Sequence, residues 1–354
     1  MKIIHTADIH LGAKMDSKFP KEISDRRKEE LRNTFKRMVE YARGNGVEVI
    51  ILAGDVFDSD TPFKKDKEFF YSVVKNTPEI DFLYLKGNHD TAVEYAEETI
   101  PNLKTFSNQW QSYAYGNIVI TGLEISSENS VSMYSTLALK ESDINIVVLH
   151  GQAGDSSGRD MVNIKKLGNK NIDYLALGHI HKRQNGKIDG RGEYAYCGCL
   201  EGRGFDETGE HGFLLLDVGS KIGRTFVPFA ERTIIESDAD ITGVTDAYSV
   251  YLKVKSQVKP ESKNIYRINL TGETDFDIEI LHKDVEAYLG SDCFFADVKD
   301  RTVKKLDISA FEGDTSLKGE FVRSVFANTE YSDDEKKKII AIGLKALDGG
   351  NIEL

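Results

Sequence analysis

Cysteine is scarce in this 354-residue chain: there are three, an odd and small number, which rules out a disulfide framework and points to a reducing, cytoplasmic setting. Cys197 and Cys199 read as packed strand residues rather than a redox pair. Positive charge is in deficit as well. With 46 Lys and Arg against 58 Asp and Glu, the net charge of −12 counts against a protein that holds nucleic acid simply by neutralising phosphates. Long apolar runs are missing, every one falling far short of the roughly 20 residues of a membrane span, so no membrane partner is expected. There is no internal repeat, low-complexity tract or nucleotide-binding glycine loop.

What is present is a series of five short motifs: Asp8-x-His10, Gly54-Asp55, Gly87-Asn88-His89-Asp90, His150-Gly151 and Gly178-His179-x-His181. Each follows an apolar run that reads as a buried parallel strand, over 2–7, 47–53, 82–86, 144–149 and 174–177. Residues at the carboxyl ends of parallel strands converge on one crevice. If the segment stays extended, Asp8 and His10 share a face, as do His179 and His181, because strand side chains alternate with period two. Glycines at 54, 87, 151 and 178 suit tight turns and close backbone approach. Asp8 lies directly after the first strand, so removal of a signal segment would destroy the site, and none is expected.

These residue types suit a pair of divalent cations. Asp8 and Asp55 contribute negative charge, while neutral histidines and Asn88 contribute none, so two ions would leave a net positive centre attractive to a phosphoester. Mixed carboxylate, imidazole and amide ligation fits manganese first, with iron, zinc and magnesium as alternatives. His5, His211 and His282 read as structural or solvated, and Asp90 reads equally as a partner of the ligands and as a helix N-cap.

The five motifs in this order resemble the calcineurin-like metallophosphoesterase superfamily over roughly the first 220 residues. Within it, His5 to Gly12, Ala53 to Asp58 and Gly178 to Arg183 look most like the SbcD-type DNA repair nucleases. The resemblance implies an α/β fold, a two-sheet sandwich flanked by helices, with a small α/β capping domain and a helical tail. It implies Asp8, His10, Asp55 and His181 on one metal, and Asp55, Asn88, His150 and His179 on the other, with Asp55 bridging. His89 would contact the scissile phosphate or protonate the leaving oxygen. Asp58 stands where some relatives carry an acid that orients this histidine, and that role is implied here.

The rest of the chain is less explicit. A helix with Leu31, Phe35, Met38, Val39 and Ala42 on its apolar side carries Arg26, Arg27, Lys28, Arg32, Lys36, Arg37 and Arg43 largely elsewhere; a solvated face paired with Glu29 and Glu30 is the simpler reading, a DNA contact the bolder one. The stretch 193–218 reads as strands closing the second sheet, with Arg203 a candidate for a substrate phosphate and equally for stabilising its turn. Alternating stretches at 250–254 and 266–270, then a helix over 277–289, suggest a small mixed unit. Ser332-Asp333-Asp334-Glu335 is a capping box opening a helix with Ile339, Ile340, Leu344 and Leu347 on one side, ended by Gly349-Gly350.

The expected organisation is a metallophosphoesterase (nuclease) domain over 1–231, a capping, DNA-presenting domain over 232–302, and a helical segment over 303–354. The expected function is two-metal hydrolysis of DNA phosphodiesters. By resemblance the tail docks on an SbcC-like, SMC-type ATPase, which would supply the ATP chemistry this chain lacks, and a homodimer is expected by analogy alone. The alternatives are a phosphodiesterase or phosphatase for a small nucleotide, and a DNA-end-binding adaptor that cleaves weakly.

Overall fold

One strand shows how the sequence builds the layers. In β2 (Val47–Ala53), Val49, Ile51 and Ala53 enter one core and Ile50 and Leu52 another. A strand buried on both faces must be apolar throughout, because its side chains alternate. The computed structural model of the protein describes residues 1–93, 99–274, 289, 292–304, 308–347 and 349. They divide into two compact units, Met1–Ile234 and Ile235–Leu354.

In the first unit, β1 (Lys2–Thr6), β2, β3 (Asp81–Leu85) and β4 (Leu103–Thr105) run parallel in one sheet. The second sheet is built from β5 (Gln111–Tyr115), β6 (Ile118–Gly122), β7 (Ile144–His150), then, beyond the short pair β8 (Gln152–Gly154) and β9 (Met161–Asn163), β10 (Tyr174–Gly178), β11 (Gln184–Lys187) and β12 (Glu193–Tyr196), in the order β11-β12-β10-β7-β6-β5. The chain then returns to the first sheet: β13 (Gly212–Val218) lies antiparallel to β1, and β14 (Ile222–Pro228) to β13. The stretch 193–218 therefore does not close one sheet, as the sequence suggested, but is shared between two. Between the sheets lie Ile3, Val49, Ile51 and Leu83 from one and Ile120, Ile146, Val148 and Ala176 from the other.

Two helices cover the outer face of the first sheet, α1 (Lys21–Gly44) and α2 (Lys64–Lys75). Phe35 of α1, Phe57 and Phe70 of α2 are fully buried there, and each such side chain contributes about 1.5–3 kcal/mol. The expected apolar stripe of α1 is the buried one. Its basic face is not free: Lys28 pairs with Asp16, Arg32 with Asp66, Lys36 with Glu40, Arg37 with Glu231 and Arg43 with Glu79. Arg27 is not on that face at all but fully buried, donating to Glu201 at 2.7 Å and to the Gly202 carbonyl at 2.8 Å. On the outer face of the second sheet, two single-turn helices, α3 (Met133–Thr136) and α4 (Ile164–Leu167), bury Met133 and Leu167 against Val147, Leu149 and Leu175.

The second unit has a sheet of β15 (Ile234–Asp240), β16 (Ile265–Thr271) and β18 (Phe295–Asp300), with β17 (Glu273–Thr274) and β19 (Val303–Lys304) paired beside it. The stretch 250–254, expected as a strand, is helical: it lies in α5 (Ala247–Lys255), capped by Asp246, with Val250 and Val254 buried four residues apart on one face. The helix expected over 277–289 lies outside the described residues, Leu289 excepted. In the tail, α6 (Leu317–Ala327) packs on α7 (Asp333–Leu347), and the capping box closes: the Ser332 N–H donates to Glu335 Oε2 at 2.8 Å. Ile340 is buried, while Ile342 and Leu347 are exposed. Among the described residues no helix is long and apolar enough to cross a membrane.

Candidate metal centre

The loops after β1 and β2 run side by side before they diverge. The Asp8 N–H donates to the Gly54 carbonyl at 3.0 Å, His10 to Asp55 at 3.0 Å and Leu11 to Val56 at 2.8 Å. These residues are not extended, as the period-two reading assumed. Asp8, His10 and Asp55 each have φ 52° and His179 has φ 99°, backbone that non-glycine residues rarely adopt, although Asp, Asn and His tolerate it best. Sharp left-handed corners, not a strand face, aim these side chains into the crevice.

Seven residues meet there. Ligand atoms of Asp8, His10 and His181 lie within 4.8 Å of one another, and so do those of Asp8, Asp55 and His150. Asn88 Oδ1 is 3.0 Å from His150 Nε2 and 2.9 Å from His179 Nδ1. Asp55 stands between the groups, its Oδ2 3.4 Å from His150 Nε2 and 3.9 Å from His10 Nε2. The His179 N–H donates to both Asp8 carboxylate oxygens at 3.0 and 3.1 Å, and the His89 N–H to Asp55 Oδ1 at 2.9 Å.

The arrangement fits divalent ions. His10 Nε2 and His181 Nε2 are only 3.2 Å apart, and two nitrogens bound at about 2.1 Å to one ion lie roughly 3.0–3.4 Å from each other. His150 donates through Nδ1 to the Ala53 carbonyl at 2.9 Å, which fixes the tautomer of the neutral ring, so that loss of the second proton turns the Nε2 lone pair toward the crevice. Glycine is required around it: a Cβ on Gly54 (φ +96°) would lie 2.1 Å from His150 Nδ1, and one on Gly178 would lie 1.9 Å from the Ala53 carbonyl oxygen.

The electrostatics are those of a site that expects cations. Burial pushes the Asp8 carboxyl up to about 6 and the His10 imidazole down to about 4. Burial also opposes charge on His150, but Asp55 and Asp8 outweigh it and push its pKa up to about 9. Asp55, despite its burial, is held below the usual carboxylate range chiefly by His150.

The remaining expected residues fall less simply. His89 is exposed beside the ligands, its ring 5.0 Å from that of His10 and its Nδ1 3.3 Å from the Asp58 carbonyl oxygen. A carboxylate oxygen of Asp58 lies within 4.8 Å of ring nitrogens of both His10 and His89; its Oδ1 is 3.0 Å from His10 Nδ1 and accepts from Arg203 Nη1 at 3.0 Å. Arg203 is occupied by Asp58 and Glu207. The segment that Asp90 would cap runs into 94–98, outside the described residues. Buried, Asp90 accepts from the N–H groups of Val56 and Gly87 and from the Tyr84 hydroxyl at 2.6–2.9 Å, tying two ligand loops together. Glu207, at 2.8 Å from His181 Nδ1, was missed in the sequence; its only signal was its place four residues after Arg203. His5 and His211 are buried and hydrogen bonded within the protein.

The calcineurin-like phosphoesterase family model matches residues 1–183, more than half of the chain, and the chain belongs to that family of metal-dependent phosphoesterases. Among curated relatives, an uncharacterized metallophosphoesterase, YhaO, of Bacillus subtilis is 29% identical over 241 residues, 62% of this chain and 57% of the relative. The DNA double-strand break repair protein Mre11 of Sulfurisphaera tokodaii is 27% identical over 205 residues, 53% of this chain and 51% of the relative. The Mre11 protein of Saccharolobus solfataricus is 24% identical over 369 residues, 96% of this chain and 93% of the relative. The chain thus spans little more than half the length of the first two and nearly all of the third. The expected α/β two-sheet sandwich of a metallophosphoesterase is the fold observed.

Proposed function

We propose that the chain is a two-metal DNA nuclease of SbcD type, with Asp8, His10, Asp55 and His181 around one ion and Asp55, Asn88, His150 and His179 around the other. The observation that carries the choice of DNA is the similarity to a protein named for double-strand break repair along 96% of the chain, second unit included. Two clefts border different ligands, one of about 530 Å³ with Lys182, Arg183 and His181 in its wall and one of about 230 Å³ with Lys86, Arg159 and His150. A polymer continuing past the scissile phosphate in both directions uses two such clefts, whereas a small nucleotide needs one. Both linings are of mixed charge, Lys182 and Arg183 beside Asp206, Glu207 and Glu210 in one and Lys86 and Arg159 beside Glu124 and Asp160 in the other, so the attraction for phosphate rests on the bound ions.

When bound, the ions, manganese by preference, supply Lewis acidity and water activation. The protein's part is to hold the ligands in register and keep His150 in one tautomer. It also presents the exposed imidazole of His89 to the leaving oxygen as general acid. Three free, buried cysteines fit a cytoplasmic setting. The region after 231 serves to present DNA, and the tail, with Phe326, Tyr331, Ile342 and Leu347 exposed, docks on an SbcC-like ATPase; a homodimer belongs to the same reading.

The test is manganese-loaded protein with end-labelled single- and double-stranded DNA, a circular single strand and cyclic nucleotides. Manganese-dependent DNA cleavage that falls with salt supports the reading. Efficient cyclic-nucleotide hydrolysis with DNA intact favours the small-nucleotide phosphodiesterase instead, and tight end binding with only trace cleavage favours the adaptor.

A further inference from the structure

We propose that Glu207, Arg203 and Asp58 form one brace that sets the spacing of His10 and His181, and so tunes one metal position without touching the other. The proposal rests on the two-metal reading and concerns three residues outside the set of seven ligands.

The two histidines converge at the front, Nε2 to Nε2 at 3.2 Å. Behind them the same two rings are linked through a chain of three side chains. His181 Nδ1 donates to Glu207 Oε1 at 2.8 Å, and Glu207 Oε1 accepts from Arg203 Nη2 at 2.6 Å. Arg203 Nη1 donates to Asp58 Oδ1 at 3.0 Å, and that oxygen faces His10 Nδ1 at 3.0 Å, close but too oblique for a full hydrogen bond. Arg203 Nη2 also lies 3.0 Å from His181 Nδ1, but an imidazole that offers Nε2 to a cation carries its proton on Nδ1 and cannot accept there, so Glu207 is the partner. Glu207 is itself pinned, its Oε2 accepting the Arg203 backbone N–H at 2.7 Å, and its side chain is only 4% exposed.

The geometry decides the roles. Arg203 uses opposite ends of its planar fork on two carboxylates, which a guanidinium does and a lysine ammonium, a single point charge, does not. Each carboxylate then backs one imidazole, and second partners of this kind are worth about 10–100-fold in metal affinity. The four segments that contribute follow β1, β2, β10 and β12, so the brace fixes a distance that no single loop controls. His150 is outside it, backed by the Ala53 main-chain carbonyl. Glu207, Arg203 and Asp58 are positioning residues, and a guanidinium held by both carboxylates is not left to meet a substrate phosphate.

The test compares wild type with Glu207→Gln, which is near-isosteric, and Arg203→Lys, which keeps the charge but not the fork. Manganese binding is followed by calorimetric titration, by the magnetic coupling of the ion pair in electron paramagnetic resonance, and beside the melting curve of the metal-free protein. Wild type is expected to take two ions and show a coupled pair. Each variant is expected to keep one ion at wild-type affinity, bind the other 10–100-fold more weakly, and show an uncoupled signal at one equivalent. Two ions at unchanged affinity, or equal weakening of both, overturns the brace; so does a lowered melting temperature with loss of both ions, which marks a general structural role. Wild-type protein that takes fewer than two ions defeats the two-metal reading itself, before any variant is compared.

Discussion

The two halves of the ligand set are held by different means. His10 and His181 are backed by side chains, the carboxylates of Asp58 and Glu207, whereas His150 is backed by the main chain of β2 and wedged between Gly54 and Gly178. Side chains can be exchanged one at a time, but a strand end cannot be moved without moving the sheet. One half is therefore adjustable by substitution and the other is fixed by the fold.

The largest effect is expected where the halves meet. Asp55→Asn removes the charge facing both His10 and His150, so both ions should be lost after gel filtration and hydrolysis with them; elemental analysis that still finds two ions would end the bridging assignment. His89→Gln belongs to neither half. It should keep both ions and lose turnover by about a hundredfold or more, since a positioned general acid contributes that much; near-normal hydrolysis would make His89 structural.

Gly178→Ala strikes chiefly at the fixed half. Its Cβ has no room beside the Ala53 carbonyl, so overpacking should cost about 1–3 kcal/mol in thermal melts and weaken the ion at His150 more than the one at His10. An unchanged melt and titration would show that this strand end yields after all. The halves should also differ with pH. In the metal-free protein His150 holds its proton up to about 9 and must release it to ligate, so metal affinity there should rise with pH across the neutral range, by at most tenfold per unit. At the other half His10 is neutral above about 4 and Asp8 is ionised above about 6, so neither of these two ligands adds a rise in affinity above about 6. Proton release measured in buffers of different ionisation enthalpy separates the two, and parallel profiles would contradict the distinction. Least affected should be a protein lacking residues 332–354: metal content and single-strand cleavage persist at both halves, while co-purification with the ATPase and ATP-stimulated cutting of duplex ends disappear. Because Ile340 is buried, loss of the metals or of the fold in that truncation would assign the stripe to the protein's own core.

The convergence of these seven side chains was legible because each follows a strand whose apolar run is unmistakable, and chemistry at strand ends needs few residue types. What the sequence hid was conformation and distance. Period two suggested how Asp8 and His10 come together, but their left-handed φ values do it instead. Glu207 belongs to no motif, and its partnership with His181 spans 26 residues of chain. Arg27 looked like surface charge on a helix because the buried Glu201 that receives it lies 174 positions away. The segment 250–254 alternated well enough for a strand, yet Val250 and Val254 also satisfy a helical repeat, and burial of that face against the second unit's sheet decided it. The return of β13 to the first sheet is a matter of topology that local pattern does not encode.

The left-handed corners at Asp8, His10, Asp55 and His179 bear on how such a chain would age. Each costs about 1–3 kcal/mol that a glycine would not, and only the service of the side chain justifies keeping it. In a descendant released from hydrolysis these four positions are where glycine or asparagine would relax the backbone. A lineage in which all four persist is one in which the chemistry is still being selected.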